Sequence, residues 1–220
     1  MSRKALVVYG GWDGHQPREV GALLAQGLRE DGFDVDLSDS LDAFDAPRLA
    51  GLSLIVPHWT MGRITAAQLN PVLSAVRDGG VGIAGCHGGM CDAFRESTDW
   101  HFMTGGQWVA HPGNDGTRYT VRVTNRDHPI TRGIADFDVS SEQYYLHVDP
   151  AVKVLATTRF PLADGPHVSN GPVDMPVLWT KRFGKGRVFY SSIGHTPQAV
   201  AAEPHLTLLR RGFQWAAGAL

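Results

Sequence analysis

The sequence predicts an α/β fold, a doubly wound, mostly parallel sheet with helices on both faces and added antiparallel strands in the C-terminal half. Three observations predict it. Short apolar runs alternate with amphipathic helical segments through the first half, the pattern of a parallel sheet with right-handed crossovers. Strand patterns then follow one another through the second half, and helical periodicity returns only at the end. Finally, four apolar runs each lead into a histidine: His15, His58, His87 and His195. Ligands of open α/β sheets bind beyond the carboxyl ends of the strands, so parallel pairing would gather these imidazoles along one rim.

Taken in order, residues 4–10 read as a buried strand, and residues 16–31 as a helix with Val20, Leu23, Leu24, Gly27 and Leu28 on one face. Asp31-Gly32 closes that helix, and the alternation in Phe33–Leu37 marks a strand toward a sheet edge. Residues 52–57 form the next strand. Thr65 then caps a helix carrying Leu69, Val72, Leu73 and Val76, which stops at Asp78-Gly79-Gly80. Residues 81–86 give a further strand. Beyond it, Trp100–Gly113 reads as a loop dense in aromatic, His and Gly residues. Thr117–Thr124 and Phe137–Val148 carry strand patterns interrupted at His128-Pro129. Val152–Thr158 is followed by Pro176–Lys181 and Arg187–Ser192, the last two a hairpin turning on Gly184 and Gly186. A closing helix runs from Pro204 to Ala217, with Leu206, Leu209, Phe213 and Trp215 along it. No linker or repeat divides the chain, so residues 1–220 read as one domain.

Composition narrows the function. With 220 residues, 43% of them hydrophobic, the chain can bury a real core. A net charge of −2 without a basic block argues against nucleic acid or an anionic membrane as partner, and no apolar stretch reaches transmembrane length. Met1-Ser2-Arg3-Lys4 runs straight toward the first strand without the apolar core of a signal peptide. The two cysteines, Cys86 and Cys91, are too close for a useful disulfide and read as reduced thiols. Together these place the protein in the cytoplasm. Nothing fixes the oligomeric state, although the apolar closing helix leaves room for a homodimer.

Gly85-Cys86-His87-Gly88-Gly89 has the form of a nucleophile elbow, with glycines around a residue forced into a tight strand-to-helix turn. His87 occupies the elbow position and suits acid–base work or metal ligation; Cys86 lies one residue out of phase and would face the core. Trp12-Asp13-Gly14-His15 and His58-Trp59 follow strands in the same manner, and Trp108 and His111 sit in the aromatic loop. The tryptophans can stack on a sugar face or simply pack. Ser141-Glu142-Gln143-Tyr144-Tyr145 places a carboxylate within an aromatic strand, and His195 ends the late hairpin strand. His128, His167 and His205 read as surface residues. No H-E-x-x-H, C-x-x-C, G-x-G-x-x-G or P-loop is present. A site for Zn²⁺ or another divalent metal would have to be assembled from distant segments, with His15, His87, His111 and His195, and Glu142 beside them, as its candidate ligands.

These segments, in this order, resemble the ThuA-like family, named for trehalose utilisation, within the class I glutamine-amidotransferase-like superfamily. The likeness runs through Gly-Trp-Asp-Gly-His at 11–15, the elbow at 85–89, Gly105-Gly106 leading to His111-Pro112, His128-Pro129-Ile130, Glu142-Gln143-Tyr144 and Gly194-His195. It implies a flavodoxin-like sandwich and a role in sugar catabolism on keto-derivatives of disaccharides. The chain departs from true amidotransferases, whose cysteine nucleophile would stand where His87 does, so glutamine hydrolysis is not expected.

The resulting expectation is an enzyme of carbohydrate catabolism, a hydrolase, isomerase or lyase acting on a glycoside or keto-glycoside. His87 and Glu142 would be its acid–base pair. Trp12, His15, His58, Trp59, Trp108, His111, Tyr144 and His195 would bind the sugar. The competing readings are a cysteine-dependent amidotransferase or peptidase-like enzyme using Cys86, and a non-catalytic module that binds a sugar or a metal.

Overall fold

A computed structural model describes residues 3–220. The start of the chain at Met1-Ser2, read above as leading into the first strand, lies outside them. All nine strand segments read from the sequence contain strands, and the pairing is now explicit. β1 (Arg3–Gly11), β2 (Phe33–Ser38), β3 (Leu54–Thr60) and β4 (Gly82–Cys86) run parallel. β11 (Gly186–Ser191) joins β4 in the same direction. β10 (Val173–Phe183), β9 (Lys153–Phe160), β6 (Arg118–Val123) and β7 (Phe137–Ser140) continue the sheet antiparallel. The order across the nine strands is β2-β1-β3-β4-β11-β10-β9-β6-β7. β2 is therefore an edge strand, as its alternation predicts.

Both faces of the sheet are covered, because successive residues of a strand point to opposite sides. Ala5 and Val7 of β1 face α1 (Pro17–Glu30), α6 (Pro197–Ala201) and α7 (His205–Ala216), whose Leu24, Val200 and Leu209 join the same cluster. Leu6 and Val8 face the opposite core, with α2 (Ala46–Leu49), α3 (Ala66–Arg77) and α5 (Thr98–Thr104) supplying Leu49, Val72 and Trp100. Thr65 caps α3 as expected, through a capping box with Gln68. The buried stripe of α1 is rotated from the predicted one. Gly21 and Ala25 are buried, while Leu23 and Gly27 are only partly so, because α1 lies close enough for Gly21 to abut Tyr9. In α7, Leu208 and Gly212 are buried, and Leu206 and Trp215 sit at the margin.

Three sequence expectations need correction. The aromatic stretch at 100–113 is not a loop throughout: α5 occupies its start, and β5 (Gly106–Ala110) pairs antiparallel with β8 (Tyr145–Val148) in a separate two-stranded sheet. Phe137–Val148 is accordingly two strands in two sheets, and Glu142 lies in the break between them rather than inside a strand. β7 lies at the sheet edge and alternates between half-buried and exposed residues, whereas Ser141, Glu142, Gln143 and Tyr144 are buried in succession, so the chain leaves the edge and turns inward there. The departing segment is held by its polar groups. Tyr119 Oη donates to the Glu142 carbonyl (3.3 Å), and Gln143 Nε2 donates to Thr158 Oγ1 (2.9 Å) and the Arg159 carbonyl (3.0 Å). The histidines assigned to the surface also move inward. His205 is 1% exposed, bonded to Ser191 Oγ and the Ala199 carbonyl, and His167 is 8% exposed between Tyr145 and Phe160. His128 is half-buried against Trp215.

Candidate metal centre

The parallel strands deliver three of the four rim histidines to one point. β1 ends in the turn Asp13–His15, whose backbone is tied across to β3 by Trp12 N–H donating to the Thr60 carbonyl (3.0 Å). β4 ends at His87, which leads into the short helix α4 (Gly88–Cys91). β11 leads through Ser192-Ile193-Gly194 to His195. Ring centroids of His15 and His87 are 4.8 Å apart, His15 and His195 5.1 Å, His87 and His195 5.7 Å. Close approach is built into the glycines. A Cβ on Gly88 would stand 2.6 Å from His15 Cε1, and one on Gly194, where φ is +140°, would press on both Cys86 and His87.

His87 is the elbow residue, and its backbone shows it. A φ of 51° with ψ of −143° is rare for a residue with a side chain and costs on the order of 1–3 kcal/mol. The conformation aims the imidazole into the cluster while its N–H donates to the Ser191 carbonyl (2.7 Å) and Tyr190 Oη bonds its carbonyl (3.0 Å). Cys86, one residue earlier, is completely buried in the core, and burial pushes its thiol up to about 12. A buried thiol that stays protonated is a poor nucleophile at neutral pH, which weighs against the cysteine-dependent reading.

Glu142 enters from the opposite side and is the hub. Its Oε2 lies 3.2 Å from His87 Nε2, 3.3 Å from His195 Nδ1 and 4.0 Å from His15 Nε2; its Oε1 lies 3.7 Å from His111 Nδ1. Burial opposes ionisation of Glu142, and N–H donation or positive charge on the His195 and His87 side is what holds the carboxyl below the ordinary range. Burial keeps His87 neutral, lowering its pKa against the pull of Glu142. Burial, with His87 and His195 beside it, pushes His15 down to about 2. The Glu142 carboxylate raises His195.

The hydrogen bonds around the cluster decide how these rings are protonated. His87 Nδ1 is 2.8 Å from the Ser192 carbonyl, which can only accept, so Nδ1 carries the proton. In the neutral ring Nε2 is then a bare lone pair facing a carboxylate oxygen at 3.2 Å. Two electron-rich atoms at that distance repel unless a positive charge lies between or beside them. His15 Nδ1 is likewise taken by Thr60 Oγ1 (2.9 Å), leaving Nε2 to face Glu142. His195 Nδ1, though close to Glu142, is not aligned for a hydrogen bond and is buried without a partner. This is the arrangement of imidazole ligands oriented by an outer layer of acceptors.

The four groups therefore suit a divalent cation. One donor atom each from His15, His87, Glu142 and His195 lies within 4.8 Å of every other. Bonds of about 2.0–2.2 Å in a tetrahedral zinc site place donors roughly 3.3–3.5 Å apart, so the observed spacing needs only small side-chain shifts. Glu142, read from the sequence chiefly as an acid–base group, is the fourth donor. His111, expected as a ligand, stands outside the set on the open side, its side chain 32% exposed.

The remaining predicted residues divide. Tyr144 is buried and stacks on His87 with centroids 4.0 Å apart, so it walls the cluster. Trp12, 46% exposed, stands edge-on to His15 at 4.9 Å. Trp108 lies 5.5 Å from His111, with the Arg95 guanidinium 4.4 Å from its ring centroid and Arg95 in turn paired with buried Asp92. His58 and Trp59 do not reach the cluster's donor set. His58 is sealed under Gly89, and Trp59 packs against Gly10 and Gly62. The sequence reading missed Thr60 and the Ser192 carbonyl, which orient His15 and His87, and Asp115, 3.9 Å from His195 Nε2. No residue-type signal marks them, because each acts through tertiary proximity.

A family model described as trehalose utilisation, ThuA, matches residues 4–216. Among solved structures, a ThuA-like protein from Bacteroides uniformis is similar at 20% identity and a TM-score of 0.78, covering 97% of this chain and 91% of that one. A ThuA-like protein from Parabacteroides merdae is similar at 18% identity and a TM-score of 0.79, covering 99% and 90%. A glutamine amidotransferase from Thermotoga maritima shares the fold more distantly, at 11% identity and a TM-score of 0.54 over 87% and 75%. No curated protein matches the sequence. Among the described residues no helix is long and apolar enough to cross a membrane.

Proposed function

This chain belongs to the ThuA, or trehalose utilisation, family, and from that premise we propose a divalent-metal-dependent enzyme of carbohydrate catabolism, a hydrolase, isomerase or lyase acting on a glycoside or keto-glycoside in the cytoplasm. The observation that carries the reading is the convergence of three imidazoles on the buried Glu142 carboxylate, with the outer nitrogens of His87 and His15 already committed to Ser192 and Thr60. His15, His87, Glu142 and His195 hold the metal, with zinc the first choice for this N₃O set. When bound, such an ion polarises a carbonyl or lowers the pKa of a water. The cytoplasmic setting is supported by two buried, free cysteines.

The residues around the centre take the remaining tasks. His87 is fully enclosed and in contact with Glu142, so the acid–base pairing expected from sequence gives way to a shared role as ligands. Proton transfer falls to His111, the imidazole on the open side, positioned against Glu142 on one flank and Trp108 on the other. Beside a keto group the C–H bond is acidified, and a base in that place suits elimination or isomerisation; a positioned base contributes about 10²–10⁴-fold. Tyr144 and Trp108 shape the wall against which the sugar rests.

The test is turnover of a panel of glycosides and their keto-derivatives by the wild-type protein, the metal-stripped protein and His111→Ala. Turnover that is lost on stripping, restored by zinc or manganese, and reduced at least 100-fold in His111→Ala supports the proposal. Saturable sugar binding with no turnover of any compound would contradict it in favour of a binding module.

A further inference from the structure

A cavity of about 670 Å³ opens beside the metal centre, with His111 and Trp108 in its lining and His111 Nδ1 3.7 Å from Glu142. One wall is the small sheet of β5 and β8, contributing Val109 and Tyr145; the other is the segment between β9 and β10, contributing Asp164, His167 and Asn170. This second wall is anchored rather than loose. His167 is buried between the Tyr145 and Phe160 rings, and Asn170 Nδ2 donates to Tyr145 Oη at 2.9 Å. The size falls within the range of about 300–1,000 Å³ typical of small-molecule sites.

We propose that this cavity is a specificity subsite for a second, neutral, hydroxyl-bearing ring of the substrate, with the 164–170 segment as its selecting element. The proposal rests on the sugar-processing reading of the adjoining centre. Its chemistry comes from the lining. No lysine or arginine contributes to it, and Asp164 adds negative charge, so apart from the imidazoles of His111, His147 and His167 a phosphorylated or carboxylated ligand would meet no fixed counter-charge. Val109, Pro112 and Pro166 offer apolar surface, while Asp164, Asn170 and Asn114 offer short hydrogen-bonding groups at the edges. That combination fits a sugar ring, with apolar C–H faces and hydroxyls around the rim. A ligand lying here with one end at His111 places its other ring next to Glu142 and the metal ligands. The segment thus selects the part of the substrate that does not react, and the centre handles the part that does.

The experiment is calorimetric binding of methyl glucoside, with one ring, and trehalose, with two, to the zinc-loaded protein and to Asp164→Trp and Asn170→Ala. Asp164 and Asn170 are exposed, so both variants are expected to fold and to keep the wild-type zinc content. The expected result is at least a tenfold preference of the wild type for trehalose, abolished in Asp164→Trp by filling the cavity and reduced three- to tenfold in Asn170→Ala. Equal affinity of the wild type for both sugars, or a preference untouched by Asp164→Trp, would overturn the subsite while leaving the sugar reading in place. Failure of both sugars to bind the wild type would overturn both.

Discussion

At the scale of single residues, the candidate centre depends on atoms outside its donor set. Thr60 Oγ1 fixes the ring of His15, and Thr60→Val keeps its shape but removes that partner. Loss of such an outer hydrogen bond typically costs 10–100-fold in metal affinity, so Thr60→Val should weaken zinc binding by that factor in a competition titration, with the melting temperature of the stripped protein changed by only a few degrees. Unchanged affinity would mean that His15 is not held for ligation. His87 separates geometry from chemistry. Its positive φ is tolerated by Gly at little cost, so stripped His87→Gly should be more stable to urea than stripped His87→Ala by about 1 kcal/mol. Both should lose the metal. His87 was legible in the sequence because glycines flank an elbow, and Glu142 because a carboxylate among aromatics is unusual; Thr60 and the Ser192 carbonyl were not, since nothing local distinguishes them from any strand-end threonine or backbone oxygen.

At the scale of elements, α4 acts as a spacer. Its first two residues are glycines because His15 and His58 lie where their side chains would be: a Cβ on Gly89 would stand 2.4 Å from His58 Nδ1. Gly88→Ala should therefore displace His15, giving a folded protein with sharply lowered zinc content, as read by elemental analysis beside circular dichroism; normal zinc content would show that the turn has slack. The parallel strands β1, β3, β4 and β11 followed from apolar runs with Gly punctuation, and α3 from its cap and periodicity. The small sheet of β5 and β8 did not. Its partners are separated by 35 residues or more, and the buried run Ser141–Tyr144 that splits β7 from β8 is held by Tyr119, Thr158 and the Arg159 carbonyl, contacts that only the assembled sheet supplies.

At the scale of the whole molecule, one nine-stranded sheet carries a site at its carboxyl rim on the parallel side, and the antiparallel extension brings Glu142 round to meet it. Buried neutral histidines make this architecture sensitive to acid. His205 is lowered to about 4 by burial, with the Ala199 carbonyl opposing, whereas in the unfolded chain it titrates near 6.5. Between those values the unfolded state binds the extra proton, so the contribution of neutral His205 is complete above pH 6.5 and is lost as pH falls toward 4. From pH 7 to pH 5 this amounts to about 2 kcal/mol, and the stripped wild type should lose that much more stability to urea than His205→Gln over the same interval. Parallel losses would mean that His205 titrates alike in both states. The fold class and the gathering of histidines were readable from sequence because they follow from strand polarity. Which of those histidines converge was not, because His58 lies on a strand of the same rim yet is sealed beneath α4.

The proposed function turns on whether His15, His87, Glu142 and His195 hold a metal. The most direct measurement is elemental analysis of untagged protein purified without chelator and then dialysed against zinc, beside His15→Ala and Glu142→Ala treated identically. The expected result is one equivalent of a divalent metal in the wild type and less than about a tenth of that in each variant, as follows from removing one of four ligands. A wild-type protein that takes up no zinc, or variants that retain as much as the wild type, would contradict the account.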